Sequence, residues 1–213
     1  MGNHIEKITA AVIDGKHTEI ETLVKAALVG GVNLNGVIDE ALIPAMDVVG
    51  QYFAEGRIYI PEMLVSSMTM KKGLEIIKPL LKVEEIASKG TILMGTVEGD
   101  LHDIGKNLVI MMLEGAGFHV IDLGIDSSVE KFVQQVQGTR PKILGLSALL
   151  TTTMPEMGKI IEALEERRLR DNIKVLVGGA PVTEAFAEKI GADGYGKDAP
   201  EAVQQVRSLV AGK

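Results

Sequence analysis

The chain contains no cysteine. Disulfides, thiolate metal sites and cysteine nucleophiles are therefore excluded, and any bound metal must rely on His, Asp or Glu. Tryptophan is also absent, and aromatic residues make up only 3% of the sequence, so the stacking platforms of a nucleic-acid binder are missing. There is no long basic run, and the net charge of −7 has the wrong sign for a phosphate backbone. No segment approaches the ~20 apolar residues that span a bilayer. The first residues, Met1–Lys7, lack a basic segment followed by an apolar run. Glu6 stands where a myristoylation signal beginning Met1-Gly2 would need Ser or Thr. A cytoplasmic protein with neither nucleic acid nor membrane as partner is expected. What is present is an ordinary globular composition, 46% hydrophobic and 24% charged over 213 residues, enough for one large domain or two small ones.

The first part of the chain has helical periodicity throughout. Ile5, Ile8, Ala11 and Val12 recur at helical spacing up to Asp14-Gly15, and Ile20, Leu23, Val24, Ala27 and Leu28 up to Gly30-Gly31. Asn33 suits the cap of a third helix, which turns Val37, Ile38, Ala41, Leu42, Ala45, Val48, Val49 and Phe53 inward and is expected to bend near Pro44. Glu55-Gly56-Arg57 ends it. Pro61 suits the first position of a fourth helix, with an expected inner face of Leu64, Ser67, Met68, Lys71, Leu74, Ile77 and Leu81. Four helices with short connections predict a small antiparallel bundle. The small and polar stretch Val83–Gly90 reads as a linker, which divides the chain into a helical domain, 1–85, and a second domain, 86–213.

Beyond the linker the period changes. Apolar runs at Ile92–Thr96, Val120–Leu123, Ile143–Ser147, Val175–Val177 and Gly194–Tyr195 alternate with helical patterns beginning near Asp103, Ser128, Met154, Thr183 and Ala199. This alternation predicts an α/β fold, a doubly wound (flavodoxin- or Rossmann-like) parallel five-stranded sheet. Such sheets bind ligands beyond the carboxyl ends of their strands. The loops to watch are Val97–Gly105, Ser147–Thr153 and Gly178-Gly179-Ala180.

Of the four histidines, only His102 lies in one of these loops; His4, His17 and His119 read as solvated or structural residues. Asp100, two residues before His102, can accept one imidazole N–H, fixing the tautomer and raising the basicity of the other nitrogen. A single histidine makes a poor site for a free ion but a good axial ligand for a metal held equatorially by a macrocycle. Asp103 is placed to serve the start of the following helix. Gly105 and Gly178-Gly179 suit close approach of backbone to a bulky group, while Ser147, Thr151, Thr152 and Thr153 supply hydroxyls.

Asp100-Leu101-His102-Asp103-Ile104-Gly105, followed by Ser147-Ala148-Leu149 and then Gly178-Gly179, resembles the Asp-x-His-x-x-Gly, Ser-x-Leu, Gly-Gly signature of cobalamin-binding domains that hold the cofactor base-off with histidine on. The segment Gly50–Leu64 is similar to the helical cap of cobalamin-dependent methionine synthase and of the small corrinoid proteins of methyltransferase systems. The resemblance implies a cobalamin or related corrinoid, with His102 as lower cobalt ligand, Asp100 as its hydrogen-bond partner and Thr153 where methionine synthase has a relay serine. It also implies that Asp103, Ile104, Gly105 and Leu149 lie along the cofactor, that Ser147 meets the displaced base and Thr151 lines its channel, and that Gly178 and Gly179 pass the nucleotide tail. Phe53 and Ile60, where leucine is usual at the second position, would cover the upper face.

The function implied is that of a methyl carrier, cycling between Co(I), which has no lower ligand, and methyl-Co(III), which accepts one. Implied partners are a methyltransferase specific for a methylated amine, betaine, methanol or aryl ether, a second one serving a thiol or tetrahydrofolate, and a reductive activase. The chain lacks a barrel for such substrates, so it would act as a non-autonomous subunit. Alternatives are the small subunit of an adenosylcobalamin-dependent mutase and a cobalamin-sensing regulatory module; the helical cap argues against the first, and the lack of basic clustering argues against the second.

Overall fold

The structure, a computed structural model, describes residues 2–80 and 89–212. The expected 85/86 boundary and residues 83–88 of the expected linker lie outside the described residues. The chain forms two compact units, one of amino-terminal helices and one of a sheet with its helices.

The first unit contains α1 (Gly2–Ile13), α2 (Ile20–Val29), α3 (Leu34–Gly36), a wide π turn (Val37–Leu42), α4 (Ile43–Ala54) and α5 (Ile60–Ile77). Asn33 caps α3, its side chain accepting the Gly36 N–H. The bend expected near Pro44 takes the form of the π turn just before it, in which the Ile43 N–H reaches back five residues to the Ile38 carbonyl. A proline ring collides with the carbonyl four residues earlier in a regular helix, and a widened turn relieves this. Val37, Ala41, Leu42, Ala45 and Val49 are buried as expected, whereas Ile38, Val48 and Phe53 are half-buried.

The inner face of α5 differs from the expected one. Ser67 and Ile77 are buried as expected, but Leu64, Met68 and Lys71 are exposed, Leu74 is half-buried, and Met63, Ser66, Thr69, Met70 and Gly73 are buried instead; Leu81 lies outside the described residues. Small residues win because the neighbours come close: a Cβ on Gly73 would stand 3.3 Å from Ile20 and 3.3 Å from Leu42. Two of the buried hydroxyls donate to backbone carbonyls, Ser66 to Ile13 of α1 and Thr69 to Val65 one turn back in α5.

The second unit is a parallel sheet of β1 (Thr91–Thr96), β2 (His119–Asp122), β3 (Ile143–Ser147), β4 (Lys174–Gly178) and β5 (Gly194–Gly196) in the order β2-β1-β3-β4-β5. The strands alternate with α6 (Ile104–Gly115), α7 (Val129–Thr139), α8 (Pro155–Glu166), α9 (Glu184–Lys189) and α10 (Ala199–Val210). Each helix starts within one residue of its expected position, and Ser128, Thr183 and Asp198 cap α7, α9 and α10 through their side chains. Phe132 of α7, Met157, Ile160 and Ile161 of α8 and Ala187 of α9 pack with Leu93, Leu144, Leu146, Val175 and Val177 in one core. Among the described residues no helix is long and apolar enough to cross a membrane.

The strand order reverses between β1 and β3, so the loops leaving these two neighbouring strands diverge. Thr96, Ser147, Gly178 and Gly196 stand in register across the carboxyl edge of the sheet. The candidate loops therefore emerge side by side.

Candidate functional site

Asp100 is fully buried in the loop after β1, and its carboxylate joins that loop to the one after β3. One oxygen, Oδ1, accepts the His102 backbone N–H at 3.1 Å and lies 2.8 Å from His102 Nδ1. The other, Oδ2, accepts the N–H groups of Leu149 at 2.7 Å and Leu150 at 3.3 Å, and the Thr153 hydroxyl at 2.8 Å. Burial by itself would raise this carboxyl's pKa, but the hydrogen bonds from Leu149, His102 and Thr153 outweigh it and hold the group well below the usual carboxylate range. Asp100 is thus an anion at neutral pH. It selects the imidazole tautomer with the proton on Nδ1 and leaves Nε2 with a free lone pair, on a side chain 52% exposed.

The backbone holds this arrangement. Buried Thr96 donates its hydroxyl to the His102 carbonyl at 3.0 Å, and the Asp126 N–H reaches the Asp100 carbonyl at 3.0 Å. The Gly99 N–H is in turn bound by Asp126 Oδ1 at 2.7 Å. Thr153, only 7% exposed, also lies 3.0 Å from the Leu150 carbonyl; its single hydrogen goes to the charged acceptor.

The structure brings Asp100, His102, Leu149 and Thr153 together directly. Asp103, half-buried, immediately precedes α6, and its carbonyl accepts the Asn107 N–H. Ile104 and Gly105 are exposed at the start of α6, Ser147 is half-buried at the end of β3, and Thr151 is exposed in the turn before α8. Gly178 and Gly179 have reasons internal to the protein: a Cβ on Gly178 would lie 2.8 Å from the Gly196 carbonyl oxygen, and one on Gly179, at φ 132°, would run into the Ala148 carbonyl. Phe53 and Ile60 belong to the helical unit, Phe53 half-buried near the end of α4 and Ile60 exposed at the start of α5.

Residues 90–204 match a family model described as a B12 binding domain, and residues 4–78 match a second model of the same description. The chain belongs to this B12-binding family. Its relatives include the dimethylamine corrinoid protein 1 of Methanosarcina acetivorans, 40% identical over 208 residues and 97% of each chain. The trimethylamine corrinoid protein 1 of the same organism is 39% identical, over 97% of this chain and 96% of the relative. Among solved structures, the methanol:cobalamin methyltransferase complex MtaBC of Methanosarcina barkeri contains a chain that superposes with a TM-score of 0.90 at 32% identity, covering 99% of this chain and 81% of that one.

The residues around His102 fit a corrinoid. His102 offers one imidazole nitrogen, a donor that suits a metal arriving with its equatorial ligands; among the described residues no three His, Asp or Glu side chains come together to hold an ion. Around His102 the loops expose an apolar rim: Leu101 is 67% and Ile104 76% exposed, joined by Ile125, Leu149 and Leu150. A Cβ built on Gly105 would meet nothing within 4 Å, so the start of α6 is open to a large group. Leu101, Ile125 and Leu150 were missed from the sequence; exposure of apolar residues at the carboxyl edge of the sheet is the signal that finds them. Lys106, only 2% exposed and bound to Asp122, was missed as well.

Proposed function

We propose that the protein is a cytoplasmic methyl carrier that holds a corrinoid base-off with histidine on, residues 1–85 forming the cap and residues 86–213 the cofactor-binding domain. The carrying observation is the Asp100–His102 pair at the point where the strand order reverses. When bound, the corrinoid supplies a cobalt centre that accepts a methyl group in its reduced form and gives it up to a nucleophile.

The protein's part is to present Nε2 of His102 as the lower ligand, with the Nδ1 proton kept on Asp100 Oδ1. A proton delivered to the His102 nitrogen that faces the metal would compete with cobalt for its lone pair and release the ligand. Asp100 fixes which nitrogen that is, and Thr153 holds the far side of the carboxylate. The apolar rim of Leu101, Ile104, Leu149 and Leu150 would bed the macrocycle and keep water from its lower face. Ser147 would meet the displaced base and Thr151 would line its channel, with Gly178 and Gly179 beside the nucleotide tail, while Phe53 and Ile60 would cover the upper face.

The names of the relatives support a methylated amine or methanol as the source of the methyl group, delivered by a substrate-specific methyltransferase. A second methyltransferase serving a thiol or tetrahydrofolate would remove it, and a reductive activase would rescue oxidised cobalt. The test is to mix the purified protein with equimolar methylcobalamin and record its visible spectrum. A bound corrinoid with a histidine ligand is expected, and His102→Ala should abolish that ligation. Failure to retain the corrinoid refutes the carrier reading, and an unchanged His102→Ala spectrum removes His102 from the cobalt.

A further inference from the structure

Lys106 is a buried cation with no part in the chemistry described above. It lies in the first turn of α6, four residues after His102, with its side chain 1% exposed. Burying an ammonium is costly unless its hydrogens are matched, and here three acceptor atoms surround it. They are Asp122 Oδ1 at 2.7 Å, Asp122 Oδ2 at 2.8 Å and Asn107 Oδ1 at 2.8 Å.

The contacts continue in both directions. Asp122, the last residue of β2, also binds the Gly124 N–H at 2.9 Å, which fixes the carboxylate on the end of an edge strand. Asn107 turns its oxygen to Lys106 and its NH₂ to Asp103 Oδ2 at 2.9 Å, the one amide orientation that satisfies both neighbours. The Asn107 backbone N–H binds the Asp103 carbonyl at 2.8 Å. Asp103 follows His102 directly, and the His102 carbonyl is already pinned by Thr96. The histidine loop is therefore tied to β1 on one side and, through Asp103, Asn107 and Lys106, to the end of β2 on the other.

An apolar side chain of similar length would fill the same slot without the desolvation cost of a charge, so packing alone does not call for lysine. What lysine adds is a directional hold between helix and strand. We infer that Lys106 is a positioning residue for His102, anchoring the first turn of α6 on Asp122 so that the imidazole keeps a single approach to the metal. The inference rests on His102 being the lower ligand.

The test uses Lys106→Met in the full chain, loaded with methylcobalamin for visible spectra and with cob(II)alamin for electron paramagnetic resonance. With the protein's histidines labelled with 15N, a doublet from the axial nitrogen reports the histidine, whereas the cofactor's own base gives the 14N triplet. With far-UV circular dichroism unchanged, the ligated fraction is expected to shift about tenfold toward the histidine-off form, the smaller effect typical of losing a group that supports a metal-bound histidine. Cofactor affinity should change less than ligation does. Should Lys106→Met fail to fold, Asp122→Asn decides, because the Asp122 side chain is 40% exposed and the loss of its charge weakens the hold of Lys106 on β2 while the lysine stays in place. A shift toward the histidine-off form supports the assignment. Full ligation in a folded variant of either kind overturns it. His102→Ala, run in parallel, separates the two levels: if it too retains the 15N histidine splitting, the failure belongs to the ligand assignment.

Discussion

Replacing Asp100 by Asn keeps the shape of the side chain and breaks its logic. The carboxylate accepts from five donors: the His102 ring and backbone N–H on one oxygen, and Leu149, Leu150 and Thr153 on the other. An amide has one acceptor oxygen. If its NH₂ faces the loop after β3, the Leu149 and Leu150 N–H groups confront another donor. If it faces His102, Nδ1 must become an acceptor and the imidazole proton moves to Nε2, the nitrogen proposed for cobalt. Hydrogen bonds to a charged group contribute roughly 1.5–3 kcal/mol each, and an unmatched buried donor costs about 1–3 kcal/mol. Either orientation should destabilise the sheet unit by about 3 kcal/mol and lower its melting temperature on the order of 10 °C. The histidine-ligated fraction should fall roughly 10–100-fold. The pH dependence has a definite sign. The folded pKa of Asp100 is depressed, so its stabilisation is fully present above the ordinary Asp range, near ~4, and is lost as pH falls through the folded value. Thermal melts followed by circular dichroism from neutral to strongly acidic pH should give a constant gap between wild type and Asp100→Asn near neutrality, narrowing in acid. A variant with wild-type melting and full histidine ligation, or a gap that widens as pH falls, refutes the reasoning.

Thr153→Val removes one donor from the same carboxylate while keeping the volume, and should cost about 1 kcal/mol with a partial loss of histidine ligation, read by thermal melts and the methylcobalamin spectrum. Gly179→Ala places a Cβ against the Ala148 carbonyl at a φ that L residues rarely adopt, so it should lose more than about 2 kcal/mol in a denaturant titration. Ile104→Gln alters a side chain that is 76% exposed, so stability should stay within about 0.5 kcal/mol while corrinoid affinity, measured by titration calorimetry, falls.

The alternation of strands and helices was readable because short apolar runs alternate with helical patterns, three of which start at cap residues that the structure uses, Ser128, Thr183 and Asp198. Asp100 and His102 were readable because they interact two residues apart, within one loop. The Lys106–Asp122 pair was not: its partners lie 16 residues apart on a helix and a strand, and no local pattern joins them. The face of α5 was misread for a related reason. Its phase is set by how closely Ile20 and Leu42 approach Gly73, a tertiary distance that favours serine and glycine over the more apolar Leu64 and Met68.

With the corrinoid seated as proposed, the apolar rim around His102 would link cofactor loading to folding. Leu101, Ile104, Ile125, Leu149 and Leu150 are large hydrophobic side chains in contact with water. A ligand that binds only the folded state adds RT ln(1 + [L]/Kd) to stability, about 2.7 kcal/mol when its concentration is a hundred times its dissociation constant. The protein without corrinoid would then be both the less stable and the more adhesive form, and a shortage of corrinoid would lower the amount of protein that survives as well as the fraction that can work.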